Sequence, residues 1–157
     1  MNNIEFLCQV HQYLLAKGVD NWVFGGWAEE LYQLREPSWH SDIDLLVKDH
    51  CFTCVDNLLK SDDTLVDIPE KRFSHKRAFE YHSIRVELFL VDPVTLTTNF
   101  FADCYLLQWP VDTFHNRLEL PGLRICSKAA LQAYRGVHKK IVAKHKLQFL
   151  EFENESN

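Results

Sequence analysis

Glycine and proline are scarce in this chain, 5 of each in 157 residues. That excludes collagen-like and low-complexity classes, which are dominated by those residues. Positive charge is not in surplus either: 17 Lys and Arg stand against 22 Asp and Glu, a formal charge of -5 with histidine neutral. Neutralising nucleic-acid phosphates normally takes a basic excess, so no nucleic-acid partner is expected, although a local basic patch is compatible with the total. No run approaches the ~18 consecutive apolar residues of a membrane span, so no membrane partner is expected. The opening Met1-Asn2-Asn3-Ile4-Glu5 has neither a basic region nor a small-residue cleavage site, so no secretory signal is expected. Five cysteines (Cys8, Cys51, Cys54, Cys104 and Cys126) are an odd and sparse set for a disulfide framework, and a reducing cytoplasm is the expected location. What the chain does carry is core-forming material. Hydrophobic residues make up 46%, with 11 Phe, 5 Tyr and 4 Trp, enough to fill one domain of ordinary size.

The apolar residues Ile4, Leu7, Cys8, Val10, Leu14 and Leu15 recur at three- and four-residue steps, which predicts an amphipathic helix over 3–17 ended by Gly18. Trp22-Val23-Phe24 is a short buried strand that stops at Gly25-Gly26, and a second helix follows at once until Arg35-Glu36-Pro37-Ser38 breaks it. A strand over 42–47, a helix over 51–60 and strands over 76–81 and 84–91 come next, the last two joined at His82-Ser83 without the usual Asn-Gly turn. Short strand-like pieces at 104–108, 118–120 and 123–126 surround a Pro121-Gly122 turn. Two closing helices, 128–135 and 137–152, are expected on either side of Gly136, with Ser127 as cap of the first. No repeat or linker interrupts the pattern. The expectation is a single α+β domain spanning 1–157, a mixed β-sheet with helices packed on it.

Chemistry concentrates in one stretch. Gly25-Gly26 sits where a strand turns into a helix, and without side chains there a phosphate can approach the backbone and the unpaired N–H groups of the helix start. Taken alone, such a pair reads first as an ordinary tight turn. Asp42 and Asp44 alternate along a strand, so both carboxylates share one face, with ~6.6 Å of rise between them. Ile43, Leu45 and Val47 take the other face. Aspartate is a poor strand former, and two like charges side by side call for a compensating cation, for which Mg²⁺ is the natural choice. Glu87 is a third acid inside an apolar strand, sharing its face with Arg85 and Phe89. If the two strands are neighbours, three carboxylates converge beside the glycine turn, an arrangement suited to two-metal phosphoryl or nucleotidyl transfer. The alternative for Glu87 is a surface ion pair with Arg85 or Arg77.

The succession Gly25-Gly26-Trp27-Ala28, Arg35 and His40 ahead of Asp42-Ile43-Asp44-Leu45, and Val86-Glu87-Leu88 on a later strand resembles the small antibiotic nucleotidyltransferases. These are the lincosamide and aminoglycoside adenylyltransferases of the polymerase-beta-like nucleotidyltransferase superfamily. The resemblance covers about residues 3–91 and reaches the C-terminal helices more loosely. It implies a nucleotidyltransferase-like fold in which Asp42 and Asp44 hold two Mg²⁺ ions on the triphosphate of ATP or another nucleoside triphosphate. Glu87 would ligate the catalytic metal and help deprotonate the acceptor hydroxyl, and Gly25 and Gly26 would contact phosphates through their backbones. The reaction implied is attack of a small-molecule hydroxyl, plausibly on a lincosamide or aminoglycoside antibiotic, at the α-phosphorus with loss of pyrophosphate. A homodimer is compatible with this reading.

Arg35 and His40 correspond to the family's arginine and histidine, here set apart by Glu36-Pro37-Ser38-Trp39. Arg35 can bind phosphate or simply end a helix in solvent. His40 can touch phosphate or acceptor, or serve as a cap. Further on, Ser127-Lys128-Ala129 replaces the family's Ser-Pro-Glu, and Lys139, Lys140, Lys144, His145 and Lys146 form a basic cluster that also reads as a solvated face. Cys51-x-x-Cys54 lacks the second ligand pair of a zinc site and reads as helix packing. Two alternative functions stay open: nucleotidyl transfer to a protein, as in minimal antitoxin-type enzymes, and a nucleotide-binding domain without turnover.

Overall fold

A computed structural model describes residues 2–115, 118 and 120–155, with side chains through residue 148. The first amphipathic segment forms helix α1, Ile4–Ala16, capped by the Asn3 side chain, which accepts from the Phe6 N–H. Strand β1, Asn21–Phe24, runs directly into helix α2, Gly25–Leu31. Strand β2, Asp42–Lys48, is followed by helix α3, Thr53–Ser61, which begins two residues later than the sequence pattern suggests. Strand β3, Leu65–Asp67, and a 3₁₀ turn at Pro69–Lys71 lead to the hairpin of β4, Lys76–Tyr81, and β5, Ile84–Val91. A small second hairpin pairs β6, Thr97–Phe100, with β7, Tyr105–Gln108, and helix α4, Lys128–Glu155, closes the chain. Among the described residues no helix is long and apolar enough to cross a membrane.

The main sheet has the order β1-β2-β5-β4-β3. Only the central pair, β2 with β5, is parallel; β1–β2, β4–β5 and β3–β4 are antiparallel. A parallel pair cannot be joined by a tight turn, so the chain between them crosses over through α3, β3 and β4. Outside β1, the segment 124–126 adds two more ladder bonds: Val23 N–H donates to Arg124 at 2.8 Å, and Cys126 N–H to Val23 at 3.0 Å.

Strand alternation gives the sheet two different faces. Ile43, Leu45, Val47, Val86 and Leu88 point to one of them and are fully or almost fully buried. Helix α1 covers that face, with the Phe6 and Tyr13 rings 5.7 and 5.1 Å from Tyr81 of β4. Asp42, Asp44, Glu87 and Phe89 point to the other, where Tyr134 of α4 packs edge-on against Phe24 at 5.1 Å and beside Trp109 and Phe100. The acids therefore lie on the same face as Tyr134 of α4 and its aromatic neighbours.

Three expectations change. The two C-terminal helices are one, running through Gly136 without a break. A mid-helix glycine costs only about 1 kcal/mol against alanine, and the apolar series Ala130, Leu131, Tyr134, Val137 and Ile141 keeps helical spacing across it, so burial holds both halves to one surface. Strands β3 and β6 were not apparent from sequence, because three- and four-residue strands carry too little alternation to read. Of the pieces near Pro121-Gly122, Leu120 bridges to Leu123, and 123–126 runs along β1, whereas Glu119 lies outside the described residues. The turn at His82-Ser83 is a two-residue connection with both residues at positive φ, +48° and +66°. That is the backbone a tight hairpin requires, made here without glycine.

Candidate active site

Register builds the centre of the site. Asp44 of β2 stands opposite Phe24 of β1 on one side and Glu87 of β5 on the other, and Asp42 stands opposite Arg85. One carboxylate oxygen from each of Asp42, Asp44 and Glu87 lies within 4.8 Å of the other two. Sequence reasoning put the two aspartates on one face and made the convergence of Glu87 conditional on neighbouring strands; β2 and β5 are neighbours, and their parallel pairing brings all three together.

Gly25 fits against this cluster because nothing larger can. Its φ is +64°, and a Cβ added there would lie 2.8 Å from the Cβ of Asp44. The glycine thus serves both the turn from β1 into α2 and the close approach of backbone to carboxylate. A Cβ on Gly26 would meet Arg35 Nη1 at 3.0 Å and His40 Nδ1 at 3.4 Å. Arg35 and His40, separated by four residues in sequence, therefore converge on the second glycine.

His40 lies before the start of β2, so it does not continue the strand face of the two aspartates. Its ring stacks on Trp27 at 4.2 Å and hydrogen-bonds Glu30, leaving it buried. Arg35 donates to the Ser38 hydroxyl at 3.0 Å. Asn2 ties this loop down: its amide donates to the carbonyls of His40 at 3.0 Å and Asp42 at 3.1 Å, while its oxygen accepts from the Trp27 indole.

Three cations surround the acids. Arg85 donates to Asp42 at 2.9 Å. Lys76 Nζ is 3.1 Å from Glu87 Oε2 and Lys71 Nζ is 3.3 Å from Glu87 Oε1. The expectation that Glu87 pairs with Arg85 or Arg77 is met in part: Arg85 Nε sits 3.4 Å from Glu87, without hydrogen-bond geometry, while Arg77 faces the opposite layer and binds Asp56. Sequence reasoning missed both lysines. Lys76 was detectable as the residue that pairs with Phe89, diagonal to Glu87 across the β4–β5 hairpin, within reach of a long side chain. Lys71, on a 3₁₀ turn, had no such signal.

Burial, and then the neighbouring charges of Asp42 and Glu87, push the Asp44 carboxyl well above its ordinary range. Burial opposes ionisation of Glu87 too, but Lys76 and Lys71 outweigh it and hold that carboxyl below its ordinary value. Tyr134, from α4, feels the same acids: burial and the charges of Asp44 and Glu87 push its hydroxyl up to about 12. Three hard oxygen donors converge, and at one of them, Asp44, burial and then its like-charged neighbours oppose ionisation. Such a donor set fits a small divalent cation such as Mg²⁺, whose charge would relieve the repulsion that Asp44 meets.

No family model matches the chain, and neither does any curated protein sequence. Solved structures do. The structure of ANT(2'')-Ia in complex with adenylyl-2''-tobramycin superposes with a TM-score of 0.56 at 14% identity, over 96% of this chain and 92% of that one. A Thermotoga maritima protein described as a nucleotidyltransferase gives 0.57 at 18% identity, over 96% of both chains. The solution structure of the antibiotic-resistance factor ANT(2'')-Ia gives 0.52 at 12% identity, over 98% and 99%. The chain has the fold of the nucleotidyltransferases, as the family resemblance implied.

Proposed function

We propose that residues 1–157 form one nucleotidyltransferase domain that moves a nucleoside monophosphate, AMP from ATP, onto a hydroxyl of a small molecule in the cytoplasm. The acceptor class proposed is an aminoglycoside or lincosamide antibiotic. The observation that carries the reading is the convergence of Asp42, Asp44 and Glu87 within 4.8 Å beside Gly25. The likeness to a protein solved with adenylyl-2''-tobramycin supports a small-molecule acceptor over a protein one.

Asp42, Asp44 and Glu87 are the proposed ligands of two Mg²⁺ ions, which when bound neutralise the triphosphate and polarise the attacking and leaving oxygens. The chain's own residues do the positioning. Gly25 and Gly26 present bare backbone to the phosphates, and Arg35 and His40 flank Gly26, where a guanidinium fork and an imidazole can hold phosphate oxygens. Glu30 and Trp27 fix the His40 ring, so little motion has to be frozen when the nucleotide binds. Glu87, the third acid of the cluster, is the group assigned to take the proton of the acceptor hydroxyl. The oxygen so activated bonds to the α-phosphorus while the bond from that phosphorus to pyrophosphate breaks.

The test is incubation with Mg²⁺, each nucleoside triphosphate in turn and a panel of aminoglycosides and lincosamides. A product heavier than its acceptor by one nucleoside monophosphate, with pyrophosphate released, is the expected result. Radioactive α-phosphate appearing on a protein would replace this reading with protein modification. Nucleotide binding with no product from any acceptor would replace it with a non-catalytic role.

A further inference from the structure

Both oxygens of Glu87 already have partners: Lys71 and Arg85 are on Oε1 and Lys76 is on Oε2. The two lysines reach it from different elements. Lys76 projects from β4 across the Phe89 ring, its ammonium 5.4 Å from the ring centroid, and its side chain is only 15% exposed. Ala78, directly opposite Glu87 in the ladder, is small enough to leave Lys76 its path. Lys71 comes from the 3₁₀ turn, and its side chain is more exposed, at 34%.

An ammonium and a divalent ion have opposite requirements at such a carboxylate. Lys76 and Lys71 stabilise the ionised form of Glu87 while no metal is there, and they repel any cation that arrives. A divalent ion taking an oxygen of Glu87 competes with the ammonium already on that oxygen, and an ammonium it frees then stands beside the cluster with no carboxylate to neutralise. The nearest new negative charge would be the phosphates that come with the metal.

We propose that Lys71 and Lys76 are exchange cations. They hold Glu87 in place of the divalent ion, and once it binds they turn to the phosphates of the donor and of the leaving pyrophosphate. The inference rests on the metal-binding reading above and assigns these two side chains a role in it.

Titration of the metal-free full-length protein with Mn²⁺, following free Mn²⁺ by its electron paramagnetic resonance signal, tests it without any turnover. Removing a competing charge should tighten the ion: Lys76→Met should bind Mn²⁺ roughly tenfold more tightly than wild type, and the more exposed Lys71→Met by a smaller factor. The same variants, saturated with Mn²⁺, should bind inorganic pyrophosphate several-fold more weakly. Lys71→Met, at a solvent-facing turn, keeps the test available if Lys76→Met does not fold. Unchanged or weaker Mn²⁺ binding in the variants, or unchanged pyrophosphate affinity, overturns the proposal and leaves the metal site standing. Absence of Mn²⁺ binding in wild type and variants alike removes the metal site, and this proposal with it.

Discussion

Asp44 is the residue on which folding and chemistry pull in opposite directions. Its carboxyl is half-buried between two other acids, and ionising it costs the folded state. A neutral isostere should remove that cost. In a chelating buffer we expect Asp44→Asn to melt roughly 2–4 °C above wild type, about 1 kcal/mol for a chain of this size, and to gain far less than wild type when Mg²⁺ is added. Nucleotidyl transfer should fall by about a thousandfold or more in the same variant, measured as pyrophosphate release. Gly25→Ala should behave differently. Its side chain would sit 2.8 Å from the Asp44 Cβ at a φ of +64°, so we expect a loss of ~1–3 kcal/mol in urea denaturation together with loss of activity. Much of this residue-scale picture was legible in the sequence, because aspartates in an apolar strand and a glycine pair at a strand end are improbable on folding grounds alone. The lysines were not. Their partner is Glu87, 11 and 16 positions away, and nothing short of the β4–β5 register and the path of the 3₁₀ turn puts them beside it.

At the scale of elements, α4 gives the most direct test. Gly136 lies inside it with nothing within 4 Å of where a Cβ would be. Gly136→Ala should therefore raise stability by about 0.5–1 kcal/mol in chemical denaturation, because it restricts only the unfolded chain. The glycine was read as a boundary, since glycine so often ends helices. The apolar spacing that continues from Leu131 to Ile141 was the stronger signal, and it won. Long elements with buried faces were readable for this reason, α1, β2, β4 and β5 all falling within two residues of expectation. Of the small hairpin, β7 falls within one residue of the expected 104–108, but β6 was not readable. Thr97–Phe100 is polar at three of its four positions, and its shape depends on local bonds such as Asn99 to Asp103, with three successive residues at positive φ from Phe101 to Asp103. Those contacts follow the fold and leave no periodic trace.

For the molecule as a whole, two buried histidines set the response to acid. His11 is neutral, donating from Nδ1 to Asn21 and accepting at Nε2 from the Arg124 N–H, and burial holds its pKa below the ordinary 6.5. Burial, then the charges of Lys76 and His145, lower His75 to about 3, and its Nδ1 accepts from the Phe101 N–H. Both groups bind protons more readily when unfolded, so their share of stability is present above pH 6.5 and is lost as the pH falls below it. His75 should contribute a slope approaching about 1.4 kcal/mol per pH unit that extends down toward pH 3, and His11 adds to it in the same direction. His75→Gln should flatten the curve of unfolding free energy against pH between 6 and 4. The parallel seam between β2 and β5 has a consequence of another kind. Asp42 and Arg85 are 43 positions apart, and their strands meet only after the whole intervening crossover has been laid down. A half-folded chain, with that excursion unfinished, has scattered carboxylates and no pocket to trap an ion. Ion capture by this protein would thus double as a timestamp: it marks the moment in refolding at which the β2–β5 crossover has closed.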